Sequence, residues 1–140
     1  MSTMTPSVEG AVEQIRRAFP DTAVEVREDS AGGAYVLVEN LDLGPAFEPR
    51  RSWVAFPIPY VYPQGDSYPH WVRGDLARAD STPLAAPFHP GQQVPLFDRP
   101  AVMVSRRSNR WDPARDTALL KLLRVLHFFS KQAPGAQEAA

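Results

Sequence analysis

The chain contains no cysteine among its 140 residues. This absence excludes disulfide bridges, thiolate zinc sites, iron–sulfur clusters and every mechanism that uses a cysteine nucleophile. An excess of one charge is also missing, because 15 basic and 16 acidic side chains leave a net charge of −1. A strongly basic nucleic-acid-binding protein is therefore not the expected class.

Long apolar runs are absent as well. No stretch of the sequence approaches the roughly 18 consecutive apolar residues that a membrane-spanning helix needs. The beginning of the chain has neither the basic nor the apolar part of a signal peptide, so we expect a cytoplasmic protein without a membrane segment. With 44% hydrophobic residues the chain can form one core, and we predict a single domain over 1–132 with a flexible tail at 133–140.

Proline, in contrast, is abundant. The chain has 15 prolines, and nine of them lie between Pro57 and Pro100. Because proline lacks a backbone donor and fixes φ, this segment predicts neither a helix nor a central strand. Aromatic residues are interleaved with the prolines, which indicates an ordered, extended crossover rather than a disordered linker. Val72 marks the start of a short fourth strand, and 101–104 is either a strand or a buried extended segment.

The residues on both sides of this crossover follow regular patterns. Apolar spacing of three and four predicts a helix over 6–18, capped by Thr5 or Ser7, and a second helix that opens with Asp112 as cap and Pro113 as first helical residue. Alternation of apolar and polar residues predicts three strands, at 24–27, 34–39 and 52–56. The predicted fold class is α+β: an N-terminal helix, an antiparallel meander of three to four strands, a proline-rich extended crossover and a C-terminal helix.

The spacing of the residues gives little indication of a metal site or of a catalytic triad. The three histidines, His70, His89 and His127, lie far apart and form no ligand motif, so no metal and no cofactor is predicted. Ser105, His89 and Asp98 have the side chains of a nucleophilic triad, yet the serine lacks the Gly-x-Ser-x-Gly turn. We therefore do not expect a triad of this kind.

The sharpest cluster of functional side chains lies at 105–111. Arg106, Arg107 and Arg110 precede Trp111 directly before the predicted second helix. Guanidinium groups can hold a carboxylate or phosphate with two hydrogen bonds and can stack on an indole. The cluster therefore predicts either a site for an anionic partner, such as nucleic acid or an acidic protein tail, or a solvated turn whose tryptophan covers the core. The balanced net charge disfavours nucleic acid.

Taken in order, several short motifs resemble the ubiquitin-conjugating enzymes. The resemblance covers the chain from about Val8 to Phe129, and the arginine run is similar to that of prokaryotic relatives encoded near ubiquitin-like and activating-enzyme-like proteins. The motifs that carry the resemblance are Tyr62-Pro63, Tyr68-Pro69, His89-Pro90-Gly91, Trp111-Asp112-Pro113-Ala114 and Thr117-Ala118-Leu119-Leu120.

Three departures from the family pattern lie around its reaction centre. The family's nucleophilic cysteine lies eight residues before the tryptophan, where this chain has Met103 between two valines. A thioether is not a nucleophile for acyl transfer. The family's His-Pro-Asn asparagine is replaced by Gly91, and the loop from His89 to Met103 is longer than in the family.

The resemblance therefore implies a non-catalytic adaptor in a prokaryotic ubiquitin-like system. Its expected partner is a ubiquitin-like protein or the activating-enzyme-like protein. The resemblance further implies which residues take part: Arg106, Arg107 and Arg110 contact carboxylates of the partner, His70, Trp71 and His89 line the remnant cleft, and Trp111 and Pro113 are structural.

Three alternatives stay open beside this expectation. The cysteine could have been replaced by engineering, although that would not explain Gly91 or the longer loop. The protein could be an active conjugating-type enzyme in which Ser105, the nearby hydroxyl, is the nucleophile. Finally, the arginines between Arg106 and Arg110 could form an anion- or nucleic-acid-binding module.

Overall fold

The computed structural model describes residues 2–132, so the tail predicted for 133–140 lies outside the described residues. The fold is α+β, with an N-terminal helix, a six-stranded antiparallel sheet and a C-terminal helix. The elements are α1 (Pro6–Ala18), β1 (Val24–Glu28), β2 (Ala34–Asp42), β3 (Phe47–Glu48), β4 (Arg51–Ile58), β5 (His70–Arg73), β6 (Ala77–Arg78), β7 (Phe88–Val94), β8 (Arg99–Val104) and α2 (Ala118–Ser130).

The large sheet has the strand order β1-β2-β4-β5-β8-β7, and β3 pairs with β6 in a separate two-stranded sheet. The main core lies between one face of the large sheet and both helices. Neither helix within 2–132 is long and apolar enough to span a membrane.

The first helix and the strands that follow it confirm the predicted order of elements. α1 has the predicted bounds, and Thr5 caps it by accepting a hydrogen bond from the backbone N–H of Val8. The second strand and the β4 strand are each longer than predicted, because their pairing continues past the apolar residues that marked them.

The prediction of three to four strands is wrong, because the proline-rich crossover itself contributes strands. β5 and β7 lie inside it, and β8 begins at its end. The prolines fall where a missing N–H is tolerated. Pro90 lies in an irregularity of β7, which is an edge strand, and Pro100 pairs with Gln93 beyond the end of the β5–β8 pairing. Gly91, in the same irregularity, has a left-handed φ of 78°.

The predicted start of the second helix is also wrong. α2 begins at Ala118, and the cap is Thr117, whose hydroxyl accepts a hydrogen bond from Leu120 N–H at 3.0 Å. Asp112 instead belongs to a separate turn, in which its carbonyl accepts from Asp116 N–H at 2.7 Å and its own N–H donates to the Asp116 carboxylate at 2.8 Å. The extended backbone of Thr117 separates this turn from the helix.

The face of the large sheet that points away from the helices carries a second, smaller apolar cluster. We call this face the outer face. Its buried members are Leu37, Ala55, Trp71, Val94, Phe97 and Ala101. Phe97 reaches it from the turn between β7 and β8, and this turn also accepts a hydrogen bond from the Arg27 guanidinium on β1. The turn therefore folds back over the outer face of the sheet.

Candidate anion-binding site

A cleft of about 390 Å³ lies between the segment that follows β8 and the first turns of α2. We call it the cationic cleft, because five of its lining side chains carry positive charge. Those five are Arg106, Arg107, Arg110, Lys121 and Arg124. Asp116 supplies a carboxylate to its wall.

Lys121 is the buried anchor of the cationic cleft. It lies on the core-facing side of α2, and its side chain is only 4% exposed. Its ammonium donates to both oxygens of the Asp66 carboxylate, at 2.9 and 2.8 Å, and to Ser108 Oγ at 2.8 Å. The backbone N–H of Ser108 donates to the same carboxylate at 2.9 Å. This network ties the arginine-bearing segment to α2, while burial lowers the pKa of Lys121.

A second ion pair closes the other side of the cationic cleft. Arg124 donates to Asp116 at 2.8 Å, and the second oxygen of that carboxylate accepts from Asp112 N–H. These two contacts, with the backbone N–H first, hold the pKa of Asp116 below its usual range. Two of the five lining cations, Lys121 and Arg124, are therefore neutralised by carboxylates.

The other three cations have no such compensation. Among residues 2–132, no carboxylate lies within the 4.0 Å ion-pair distance of Arg106, Arg107 or Arg110. Two of them are held by aromatic rings: the Arg106 guanidinium lies 4.1 Å from the centre of Phe128, and that of Arg107 lies 4.7 Å from the centre of Tyr68. The cleft thus carries about three unbalanced positive charges on groups suited to oxyanions.

Ser105 directly precedes the arginines of the cleft in the sequence, and its hydrogen-bond partner is a tyrosine. Its Oγ is 2.5 Å from the Tyr68 hydroxyl. This hydrogen bond, with Arg107 and Lys121 nearby, lowers the pKa of Tyr68. Asp98 precedes β8 and Ser105 follows it, so roughly 20 Å of extended chain separates them. The structure therefore does not assemble Ser105, His89 and Asp98 into a triad.

Met103, the counterpart of the family's cysteine, lies in the middle of β8. Its neighbours across the strands are Trp71 on β5 and His89 on β7. Since paired residues share a face, these three side chains form one row on the outer face. The arginine cluster lies past the end of β8, on the side of α2.

The structure does not bring His70 together with Trp71 and His89. Consecutive residues of a strand point to opposite faces, and His70, paired with Val104, lies on the helix side. The ring is fully buried and stacks on Phe56, with 5.1 Å between ring centres. Neither ring nitrogen has a hydrogen-bond partner among residues 2–132. Burial, with Lys121 adding repulsion, lowers the pKa of His70 to about 3.

Within the described residues, no three potential ligands are grouped so that they could hold a metal ion.

Comparison with known proteins gives no relative to set beside this site. No family model, no curated protein and no solved structure matches the chain. The resemblance to the ubiquitin-conjugating enzymes therefore stays a prediction, and the function has to be argued from the residues themselves.

The sequence indicated the arginines of the cleft but missed the groups that position them. Asp66 and Tyr68 lie in the proline-rich crossover, and Asp116 lies in the separate turn that precedes the helix. Lys121 had a signal: it falls at helical spacing among Ala118, Leu122 and Val125. A single lysine in an apolar stripe needs a buried carboxylate partner.

Proposed function

We propose that this protein is a cytoplasmic, non-catalytic adaptor that binds carboxylate groups of a protein partner in its cationic cleft. The observation that carries the proposal is the set of three uncompensated guanidinium groups on a segment fixed by the Lys121–Asp66 pair. A preorganised cluster of this kind suits the free C-terminal carboxylate, or an acidic segment, of another chain. Following the resemblance of the sequence, we propose a ubiquitin-like protein or its activating-enzyme-like partner as the natural ligand.

The chemistry of the surrounding residues supports binding rather than transfer. Met103 replaces the thiol that acyl transfer would need, and its side chain is part of the outer-face row with Trp71 and His89. Ser105 has a hydroxyl, but its partner is a tyrosine rather than the histidine of a usual activating pair.

The proposal is tested with a fluorescein-labelled peptide that ends in a free carboxylate after two glycines and two aspartates. Its fluorescence anisotropy is followed during titration with the wild-type protein at low salt, beside an amidated peptide without aspartates. We expect the acidic peptide alone to bind, and the R106A/R107A double variant to lose most of that affinity.

A matched control comes from α1, where Arg16 and Arg17 are also adjacent and exposed. The R16A/R17A variant removes the same charge from a different surface and should bind like the wild type. If both variants lost affinity for the acidic peptide equally, the binding would depend only on the net charge of the protein and not on the cleft. Tighter binding of a DNA oligonucleotide than of the acidic peptide would favour the nucleic-acid-binding alternative, and an ester adduct lost in Ser105→Ala would favour the enzyme.

A further inference from the structure

The exposed side of α2 carries an apolar groove that no other element of the described chain covers. Leu120 and Leu123 are 40% and 44% exposed, among the few large apolar side chains that are open to solvent. With Arg124 and His127 they follow the i, i+3, i+4, i+7 spacing of one helix face. α2 therefore has a second stripe with apolar residues, opposite the stripe that packs into the core.

This groove is continuous with the cationic cleft. It has a volume of about 420 Å³, and Phe128 forms part of its floor. Arg106 and Arg124 line both cavities, so that one wall of the groove is also a wall of the cleft. The stacking of Arg106 on Phe128 holds this shared wall in place.

The charge around the groove selects the chemistry of what can cover it. Apolar side chains are exposed between Arg106, Arg124 and His127, and no carboxylate lines the groove within the described residues. A basic or purely apolar segment would leave Arg106 without a carboxylate partner, since Arg124 already pairs with Asp116. Carboxylates next to an apolar side chain would instead pair with Arg106 and cover the exposed leucines.

We infer that the groove and the cationic cleft form one docking surface for an acidic–apolar segment of a partner protein. Leucine-like side chains of the segment lie on Leu120 and Leu123, and carboxylates that follow them in the sequence occupy the cleft. This inference rests on the proposed function, and it adds the apolar half of the partner's recognition sequence.

The experiment uses two labelled peptides that differ only in their apolar residues. Both end in three aspartates with a free carboxylate; one carries two leucines before them, the other two serines. The anisotropy of each peptide is titrated with wild type, L120S/L123S, R106A/R107A and L96S. Leu96 is exposed to 45% on the β7–β8 turn, so L96S removes a similar apolar side chain elsewhere.

For the wild type we expect the leucine peptide to bind about tenfold more tightly than the serine peptide, since burial of a leucine contributes this much. In L120S/L123S this preference should disappear while the serine peptide binds as before. L96S should behave like the wild type, and circular dichroism of each variant checks that α2 stays folded.

The outcomes separate the two proposals. If both peptides bind equally to the wild type and neither binds R106A/R107A, the cleft binds carboxylates but the inference of a combined docking surface is overturned. If neither peptide binds the wild type, the proposed function itself fails. A leucine preference that survives in L120S/L123S would also overturn the inference, because the leucines of the peptide would then bind outside the groove. Concentration-dependent self-association that is abolished in this variant would overturn it as well, because the groove would then bind a second copy of the chain.

Discussion

The arginines on the outer face and those in the cationic cleft differ in whether they have carboxylate partners. On the outer face, Arg73 pairs with Asp75 at 2.5 Å, and Arg99 lies 3.8 Å from Glu25 and 3.7 Å from Glu39. In the cationic cleft, Arg106, Arg107 and Arg110 have no carboxylate of the described chain within ion-pair distance. Arginine content alone therefore does not identify a binding site. What distinguishes the cleft from the outer face is that three neighbouring guanidinium groups have no carboxylate partner within residues 2–132.

The two regions also differ in how their ion pairs are buried, and this difference predicts the largest effect on stability. Lys121→Met removes the cation from the Asp66 carboxylate, whose side chain is only 15% exposed. We expect the free energy of unfolding to fall by about 2–4 kcal/mol, because a largely buried charge is left unpaired.

Urea denaturation at pH 7 measures this change. The matched variant on the outer face is Arg73→Met, which breaks an exposed pair and should cost less than about 1 kcal/mol. Equal losses in the two variants would mean that Lys121 does not anchor the cleft in the way that the hydrogen bonds indicate.

The histidines on the helix side and on the outer face of the sheet are expected to change the pH dependence of stability to different extents. The pKa of His70 is about 3 in the fold against an ordinary value of 6.5, so between these values the unfolded chain binds a proton that the folded chain does not. Stability should therefore decrease as the pH falls from 6.5, by about 1.4 kcal/mol per pH unit from this residue. Above pH 6.5 the ring is neutral in both states, and the contribution is constant.

His70→Leu should flatten this dependence between pH 6.5 and pH 4.5, as measured by urea denaturation at several pH values. The variant should also be more stable at pH 7, because two unsatisfied ring nitrogens leave the core. His89→Leu is the control on the outer face, where solvent reaches the ring. A wild-type slope retained in His70→Leu would contradict the buried, unpartnered position of this histidine.

The start of α2 gives a third prediction with a smaller effect. Thr117→Ala removes the hydroxyl that caps the helix and should lower the free energy of unfolding by about 1 kcal/mol, as should Thr5→Ala at the cap of α1. Thermal unfolding of the two variants beside Asp112→Ala checks the assignment. If Asp112→Ala cost more than Thr117→Ala, the helix would begin where the sequence pattern first indicated.

The parts of this fold that sequence patterns predict are those that short-range periodicity determines. α1 follows from its apolar spacing and its Thr5 cap, and the strands up to β4 follow from alternation. β5 and β7 are harder to predict because their pairing is non-local and because proline interrupts the alternation of apolar and polar residues. A strand tolerates Pro90 because β7 lies at the edge of the sheet, and this position depends on the strand order.

The residues of the candidate site also fall into those that local sequence predicts and those that it does not. Arg106, Arg107 and Arg110 are adjacent in sequence and could be predicted as a cluster. Asp66 lies 55 positions from Lys121, and nothing local in the sequence brings the two together. Whether an arginine is compensated depends on such distant carboxylates, which is why a solvated turn and a binding site both stayed open as interpretations of this segment from the sequence.

Carboxylate binding by the cleft arginines is tested most directly by comparing the arginines of the two regions in one NMR titration. The side-chain Nε–Hε signals of Arg106, Arg107 and Arg110 are followed beside those of Arg73 and Arg99 while the aspartate-terminated peptide is added. We expect saturable shifts for the cleft arginines and none for Arg73 and Arg99, whose carboxylate partners are already in place. Equal shifts in both sets, or shifts confined to Arg73 and Arg99, would contradict this expectation.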